Sequence, residues 1–280
     1  MKFTRSNFAA AFALFTSMVL AAPGHAEEKS IIVQSTTSTQ NSGLFDYILP
    51  IYQKTSGIKV NVVAVGTGQA IKNARNCDGD VLFVHAKPAE EKFVSDGYGV
   101  QRFDVMYNDF VIVGPTADPA GVSGGNDAVA SLKKIAETKS VFASRGDDSG
   151  THKKELSLWK QASVDVEAAS GSWYRETGSG MGATLNVSVG MGAYTMTDRA
   201  TWIAFRNKGG HKIAVEGDEG MFNQYGIIQV NPVTCPNVKA DAAKDFVDWI
   251  ITAPGQSAIA AYKLDGKQLF FSNAAKEGAS

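Results

Sequence analysis

The chain has 280 residues, 44% of them hydrophobic and 20% charged, which supplies a substantial core and excludes an intrinsically disordered polymer. Its 27 Lys and Arg against 28 Asp and Glu give a formal charge of −1. No global positive field is therefore present to hold nucleic acid or an anionic membrane, and a charged ligand must be captured locally.

Lys2 and Arg5 give a basic start, residues 8–22 form a mostly apolar stretch, and Pro23-Gly24-His25-Ala26 offers small residues to a peptidase. Residues 1–26 are expected to be a secretory signal peptide. The apolar stretch is shorter than the roughly 20 residues a membrane helix needs, and no later segment approaches that length. The two cysteines, Cys77 and Cys235, are read as a disulfide, since an exported chain meets oxidising conditions and two thiols alone do not complete a tetrahedral zinc site.

Apolar runs then alternate with helical patterns. Residues 31–33, 58–65 and 80–84 read as strands, and residues 44–53, 69–76 and 90–94 as helices. A strand follows over 109–113, ending at Gly114-Pro115. A second α/β unit has a helix over 129–138, a strand over 141–143 and a helix over 153–161. Helices near 183–189 and 199–205 and strands at 212–215 and 226–230 complete it. In the final helix Ala243, Phe246, Val247 and Ile250 fall at i, i+3, i+4 and i+7. This alternation predicts an α/β fold with a mostly parallel sheet. A Cys77–Cys235 bond would place both ends of the chain in one lobe. Lobe I is then expected over residues 27–110 and 225–280, and lobe II over 111–224, with two crossings forming a hinge.

Four loops rich in hydroxyl groups and glycine each precede a helix. They are Ser35-Thr36-Thr37-Ser38-Thr39, Gly66-Thr67-Gly68-Gln69, Ser144-Arg145-Gly146-Asp147-Asp148-Ser149-Gly150-Thr151 and Glu176-Thr177-Gly178-Ser179-Gly180-Met181-Gly182. A helix N-terminus leaves N–H groups unpaired and carries partial positive charge, so it attracts anions. In open α/β sheets such loops gather at the carboxyl ends of the strands. Any one of them alone is accounted for by helix capping. Their convergence with Arg145, a permanently charged fork, points to an oxyanion site between the lobes.

Three other motifs carry less. Gly178-x-Gly180-x-x-Ala183 fits a dinucleotide fingerprint formally, but Trp173-Tyr174-Arg175-Glu176 before it is a poor buried strand. Ser149 resembles a protease nucleophile, yet His152 stands too near in sequence to be its base, and His85 and His211 have no supporting context. Arg145-Gly146-Asp147 spells an integrin tripeptide by accident. The histidines show no metal spacing, and no cofactor is expected.

The loops, together with Asn41-Ser42-Gly43-Leu44, Asp80-Val81-Leu82-Phe83-Val84-His85-Ala86, Tyr107-Asn108-Asp109-Phe110-Val111-Ile112-Val113-Gly114-Pro115 and Tyr194-Thr195-Met196-Thr197-Asp198-Arg199, resemble the TupA-type tungstate-binding proteins of ABC transporters. The resemblance implies a type II periplasmic-binding-protein fold, two lobes with mostly parallel sheets joined by a two-crossing hinge. It also implies a periplasmic, monomeric, non-enzymatic protein that holds tungstate or molybdate between its lobes and delivers it to a membrane permease. The ligand set it implies is Ser35, Thr36, Thr37, Ser38, Thr67, Arg145 and Thr151, and the four loops add Gly68, Ser149, Gly150, Gly178 and Ser179 as expected ligand residues. Ser35 stands where the family usually has Thr, and Asn41 where Asp is frequent.

Arg145-x-Asp147-x-Ser149-Gly150-Thr151 also looks like the anion loop of phosphate-binding proteins. Phosphate retains a proton near neutral pH and benefits from an acceptor, whereas a bare oxyanion wants donors only. In that family the acceptor is an acid after the third strand, and here His85-Ala86-Lys87-Pro88 provides none. Asp147 or Asp148 could serve instead. A secreted serine hydrolase using Ser149 is the remaining alternative.

Overall fold

The computed structural model describes residues 29–274 together with residue 1, so the expected signal peptide lies outside the described residues. Strand β1 (Ser30–Thr36) runs straight into a short helix, α1 (Thr37–Asn41), because the Thr36 side chain accepts from the Thr39 N–H and caps it. Helix α2 (Leu44–Ser56), β2 (Lys59–Val65), α3 (Thr67–Arg75), β3 (Val81–Val84) and α4 (Lys87–Ser95) follow. β1 pairs in parallel with β2 on one side and β3 on the other.

Strand β4 (Gly99–Pro115) is 17 residues long and leads into the second half of the molecule. There lie α5 (Ala128–Glu137), β5 (Phe142–Ser144), α6 (Gly150–Gln161), β6 (Tyr174–Glu176), α7 (Met181–Met191), β7 (Thr195–Asp198), α8 (Arg199–Ala204) and β8 (His211–Val215). Strand β9 (Phe222–Val230) returns to the first half and lies antiparallel between β3 and β4. Helices α9 (Ala240–Ile251) and α10 (Ala253–Ala261), the hairpin β10 (Lys263–Leu264) and β11 (Lys267–Gln268), and β12 (Phe271–Ser272) close the described chain. The first sheet has the order β12-β4-β9-β3-β1-β2, and the far end of β4 pairs with β7 and β8.

Side-chain alternation separates the cores on the two faces of each sheet. Val81 and Phe83 of β3, with Tyr225 and Ile227 of β9, pack with Ile48 of α2 and Phe246 and Ile250 of α9. Leu82, Val84, Ile228 and Val230 point the other way, toward Ala70 and Ala74 of α3 and Phe93 of α4. In the distal part of β4, Phe110 and Ile112 join Leu132, Trp159 and Tyr194, while Val111 and Val113 join Met181, Leu185 and Trp202. A disulfide joins Cys77 and Cys235, whose Cα atoms are 5.3 Å apart across a sequence separation of 158 residues. It ties the end of α3 to the segment after β9. No helix among the described residues is long and apolar enough to cross a membrane.

The structure has the expected α/β architecture with three differences. The sheets are mixed rather than mostly parallel, because β9, β7, β8 and β12 all run antiparallel to their neighbours. β4 begins ten residues earlier than the expected strand start at 109, where Gln101, Arg102, Asp104 and Asn108 break the apolar run that marks a buried strand. Tyr174–Glu176 does form a strand: it is a short parallel partner of β5, with Tyr174 buried and Arg175 and Glu176 exposed. The expected lobe divisions at 110/111 and 224/225 fall inside β4 and β9.

Candidate functional site

Four parallel strands end where the four singled-out loops begin. β1 delivers α1, β2 delivers Gly66 and α3, β5 delivers Ser144 to Ser149 and α6, and β6 delivers Thr177 to Gly180 and α7. The first pair of helices belongs to one half of the molecule and the second pair to the other. Their N-termini meet at the junction.

Arg145 sits at that meeting point and is 1% exposed. Its Nη2 is 2.5 Å from Asp147 Oδ2 and 3.3 Å from Thr37 Oγ1, its Nη1 donates to Ser38 Oγ at 3.5 Å, and its Nε donates to the Ser179 carbonyl at 3.3 Å. One guanidinium thereby spans both halves. Burial lowers the Arg145 pKa from its ordinary value, while the Asp147 and Asp198 carboxylates oppose that effect. Further contacts cross the junction: the Gly150 N–H donates to Thr67 Oγ1 at 2.9 Å, the Gly68 N–H to the Asp148 carbonyl at 3.3 Å, and the Thr201 hydroxyl to the Ser38 carbonyl at 3.2 Å. The junction is tight at Gly150, where a Cβ would stand 3.0 Å from the His85 carbonyl oxygen and 3.1 Å from Thr67 Oγ1.

Two buried polar atoms at this junction have no hydrogen-bond partner, Thr151 Oγ1 in the first turn of α6 and His85 Nε2 at the end of β3. Such orphans are costly unless a ligand satisfies them. His85 heads a chain of buried polar groups. Its Nδ1 meets Asn223 Oδ1 at 3.0 Å, Asn223 Nδ2 donates to Asn108 Oδ1 at 2.7 Å, and Asn108 Nδ2 donates to Asp198 Oδ1 at 3.4 Å. Asp198 also accepts from the Thr201 N–H at 2.9 Å, and its Oδ2 lies 2.6 Å from the Thr201 hydroxyl, whose single proton is shared between this carboxylate and the Ser38 carbonyl. Burial raises the Asp198 carboxyl, and the Thr201, Asn108 and Arg145 groups pull it back.

The helix behind the anion loop is anchored by Glu155, which is 1% exposed and accepts from Ser144 Oγ at 2.9 Å, Trp159 Nε1 at 3.0 Å and Tyr174 OH at 2.7 Å. Burial pushes its carboxyl from 4.5 up to about 7 despite those three donors. The folded state therefore holds this proton more tightly than the unfolded chain, and the associated stability is lost as pH rises from about 4.5 to about 7. Measured by urea unfolding, wild type should lose stability relative to Glu155→Gln by on the order of 2 kcal/mol between pH 5 and pH 8. An unchanged difference between the two proteins would contradict that assignment.

The structure brings Thr37, Ser38, Thr67, Gly68, Arg145, Gly150 and Thr151 together. The hydroxyls of Ser35 and Thr36 are engaged nearby, Ser35 with the Phe83 carbonyl at 2.6 Å and Thr36 with Thr39 Oγ1 at 2.8 Å. Ser149 caps α6 by accepting the His152 N–H, and His152 Nδ1 accepts the Asp148 N–H, so these residues are not arranged as nucleophile and base. Gly178 supplies a left-handed turn at φ 61°. Ser179 Oγ donates to the Thr177 carbonyl at 3.0 Å. Asp147 is engaged by Arg145, and Asp148 is paired with Lys153. The sequence did not assign His85, Asn108, Asp198, Thr201 or Asn223 to the site, although the first three lie in segments that carry the family resemblance. His85 alone carried a local signal, its position directly after the buried run of β3.

A two-half α/β molecule with donors from both halves meeting at the carboxyl ends of its strands has the form of a solute-binding protein. A family model described as the PBP superfamily domain matches residues 21–254. The chain is 49% identical over 251 residues to the tungstate-binding protein TupA of Peptoclostridium acidaminophilum, covering 88% of this chain and 87% of that protein. Among solved structures, the tungstate-binding protein TupA from Desulfovibrio alaskensis G20 shares 49% identity with a TM-score of 0.74, covering 88% of this chain and 100% of that one. The tungstate ABC transporter structure from Geobacter sulfurreducens shares 48% identity with a TM-score of 0.77, covering 84% and 99%. The chain belongs to the TupA family.

Proposed function

We propose that this protein is a periplasmic solute-binding protein that captures tungstate at the junction of its two halves and delivers it to an ABC permease. The observation that carries the reading is the buried Arg145 guanidinium, bonded to Thr37 and Ser38 of one half and to Ser179 of the other. Helix N-termini and the unpaired Thr151 hydroxyl surround it with further donors. A bare oxyanion accepts and does not donate, so such a lining suits it. The names of the relatives support tungstate as the cargo, and molybdate, nearly isosteric with it, is the competitor hardest to exclude.

In this reading residues 27–110 and 225–280 form one lobe and 111–224 the other. The anion enters an open cleft and exchanges its water for N–H and O–H donors. It then favours the closed state, because that state completes its shell. The protein acts as a monomer, and the sites implied by the resemblance contribute as ligands or as supports for them. Selection against sulfate rests on cavity size, since both ions are tetrahedral dianions. Calorimetric titration with tungstate, molybdate, sulfate and phosphate tests this. Tungstate is expected to bind at least about 100-fold more tightly than sulfate or phosphate, a difference of about 2.7 kcal/mol. Saturable phosphate binding without tungstate binding would overturn the assignment.

One observation favours the phosphate alternative. His85 Nε2 stands at the end of β3, where a phosphate receptor needs an acceptor, and nothing within the protein engages it. The protonation of that nitrogen separates the two ligands.

A further inference from the structure

We infer that His85 is a proton-accepting ligand residue: when a bare dianion fills the junction, its Nε2 takes a proton from solvent and donates it to an anion oxygen. Anion capture is thereby coupled to proton uptake. The inference rests on the tungstate reading and adds to it a residue and a linkage.

The tautomer follows from the buried chain of polar groups. The Asp198 carboxylate, already accepting from Thr201, turns the Asn108 amide so that its Nδ2 donates. Asn108 Oδ1 then accepts from Asn223 Nδ2, and Asn223 Oδ1 is left to accept from His85 Nδ1–H. A neutral His85 therefore presents a lone pair at Nε2. The ring is held in place, stacked on Tyr225 with centroids 4.7 Å apart and 6.2 Å from Phe110. Its Cε1 lies 3.2 Å from where a Cβ on Gly150 would project, so the imidazole borders the α6 N-terminus and the Thr67 hydroxyl. Its 5% exposure and unpaired Nε2 mark it as buried and unsatisfied.

A lone pair facing a dianion is repulsive. The groups around the ring do not remove that repulsion. Arg145 is paired with Asp147 at 2.5 Å, Tyr225 is a neutral phenol, and Asp198 reaches the ring through two amides. Protonating Nε2 turns the repulsion into a charge-assisted hydrogen bond and adds a second cation to the site. In the unliganded fold the ring is neutral, since burial, with the Arg145 charge acting in the same direction, holds His85 down to about 4 against the Asn223 bond. The dianion raises it, so apparent affinity falls as pH rises through the pKa of the complex.

The test is calorimetric titration of the full chain with sodium tungstate in buffers of different ionisation enthalpy at about pH 7. For wild type, the observed enthalpy should vary with buffer ionisation enthalpy with a slope near one proton taken up. His85→Gln, whose amide places an N–H near the same point without titrating, should bind with affinity reduced roughly tenfold and a slope near zero. A saturable wild-type isotherm with zero slope, or an equal slope in both proteins, overturns the inference while leaving tungstate binding intact. Absence of any tungstate isotherm overturns both. Imidazole nitrogen NMR of wild type with tungstate gives an answer that does not depend on the variant folding. The His85 Nε2 resonance should move from the unprotonated to the imidazolium position, and an unchanged resonance overturns the inference.

Discussion

Arg145→Ala should raise the Kd for tungstate by between about 30-fold and 3,000-fold, the range expected when one partner of a buried, hydrogen-bonded charge pair is truncated. Two losses add. The anion loses a cation whose fork reaches both halves of the molecule, so the closed state is weakened along with the contact itself. Asp147 is also left without its partner beside the incoming dianion. Arg145→Lys restores a charge but not the fork, and should fall between wild type and alanine. Calorimetry with tungstate measures all three. A change below about threefold for Arg145→Ala would remove Arg145 from the site.

The second large effect concerns stability. Replacing both Cys77 and Cys235 by serine should lower the unfolding free energy by about 4 kcal/mol, because the bridge closes a loop spanning 158 residues in the unfolded chain. For a chain of this size that corresponds to a fall in Tm of about 10 °C, read by thermal unfolding with and without reductant. Tungstate affinity should stay within about twofold of wild type. Cys77 follows the C-terminus of α3 and Thr67 opens that helix, so its nine residues separate bridge from site by about 13 Å. A variant that unfolds at the wild-type temperature would show that the bridge does not constrain the chain.

What was legible in the sequence depended on whether the physics was local. The buried run Val81-Leu82-Phe83-Val84 and the spacing of Ala243, Phe246, Val247 and Ile250 fix strand and helix by their own periods. The anion loops were visible because hydroxyls, glycine and a following helix occur together in sequence. The first half of β4 was not, since its faces are only partly covered and Arg102 and Asp104 are satisfied by ion pairing instead. The polar chain behind His85 was invisible for another reason: positions 85, 108, 198 and 223 come from four separate segments that only the assembled sheets bring together. Sequence also does not tell a ligand hydroxyl from a capping one. Thr36 and Thr37 are neighbours of the same type, yet one closes a helix end and the other meets the guanidinium.

The undivided course of β4 through both sheets has a consequence for how this chain tolerates change. Pairing with β9 occupies its first part, and β7 and β8 occupy its last. From Met106 to Asp109 against β9 and from Phe110 to Val113 against β7 the pairing is unbroken, so over this stretch the pleat counts residues continuously across the junction. Deleting a single residue between Met106 and Asp109, beyond the bulge at Asp104/Met106, would invert inside and outside for the strand beyond it, turning Phe110 and Ile112 toward the face that Val111 and Val113 now fill. Between Met106 and Val113 this strand thus behaves as a fixed ruler, and the bulge at Asp104/Met106 marks where its count can change.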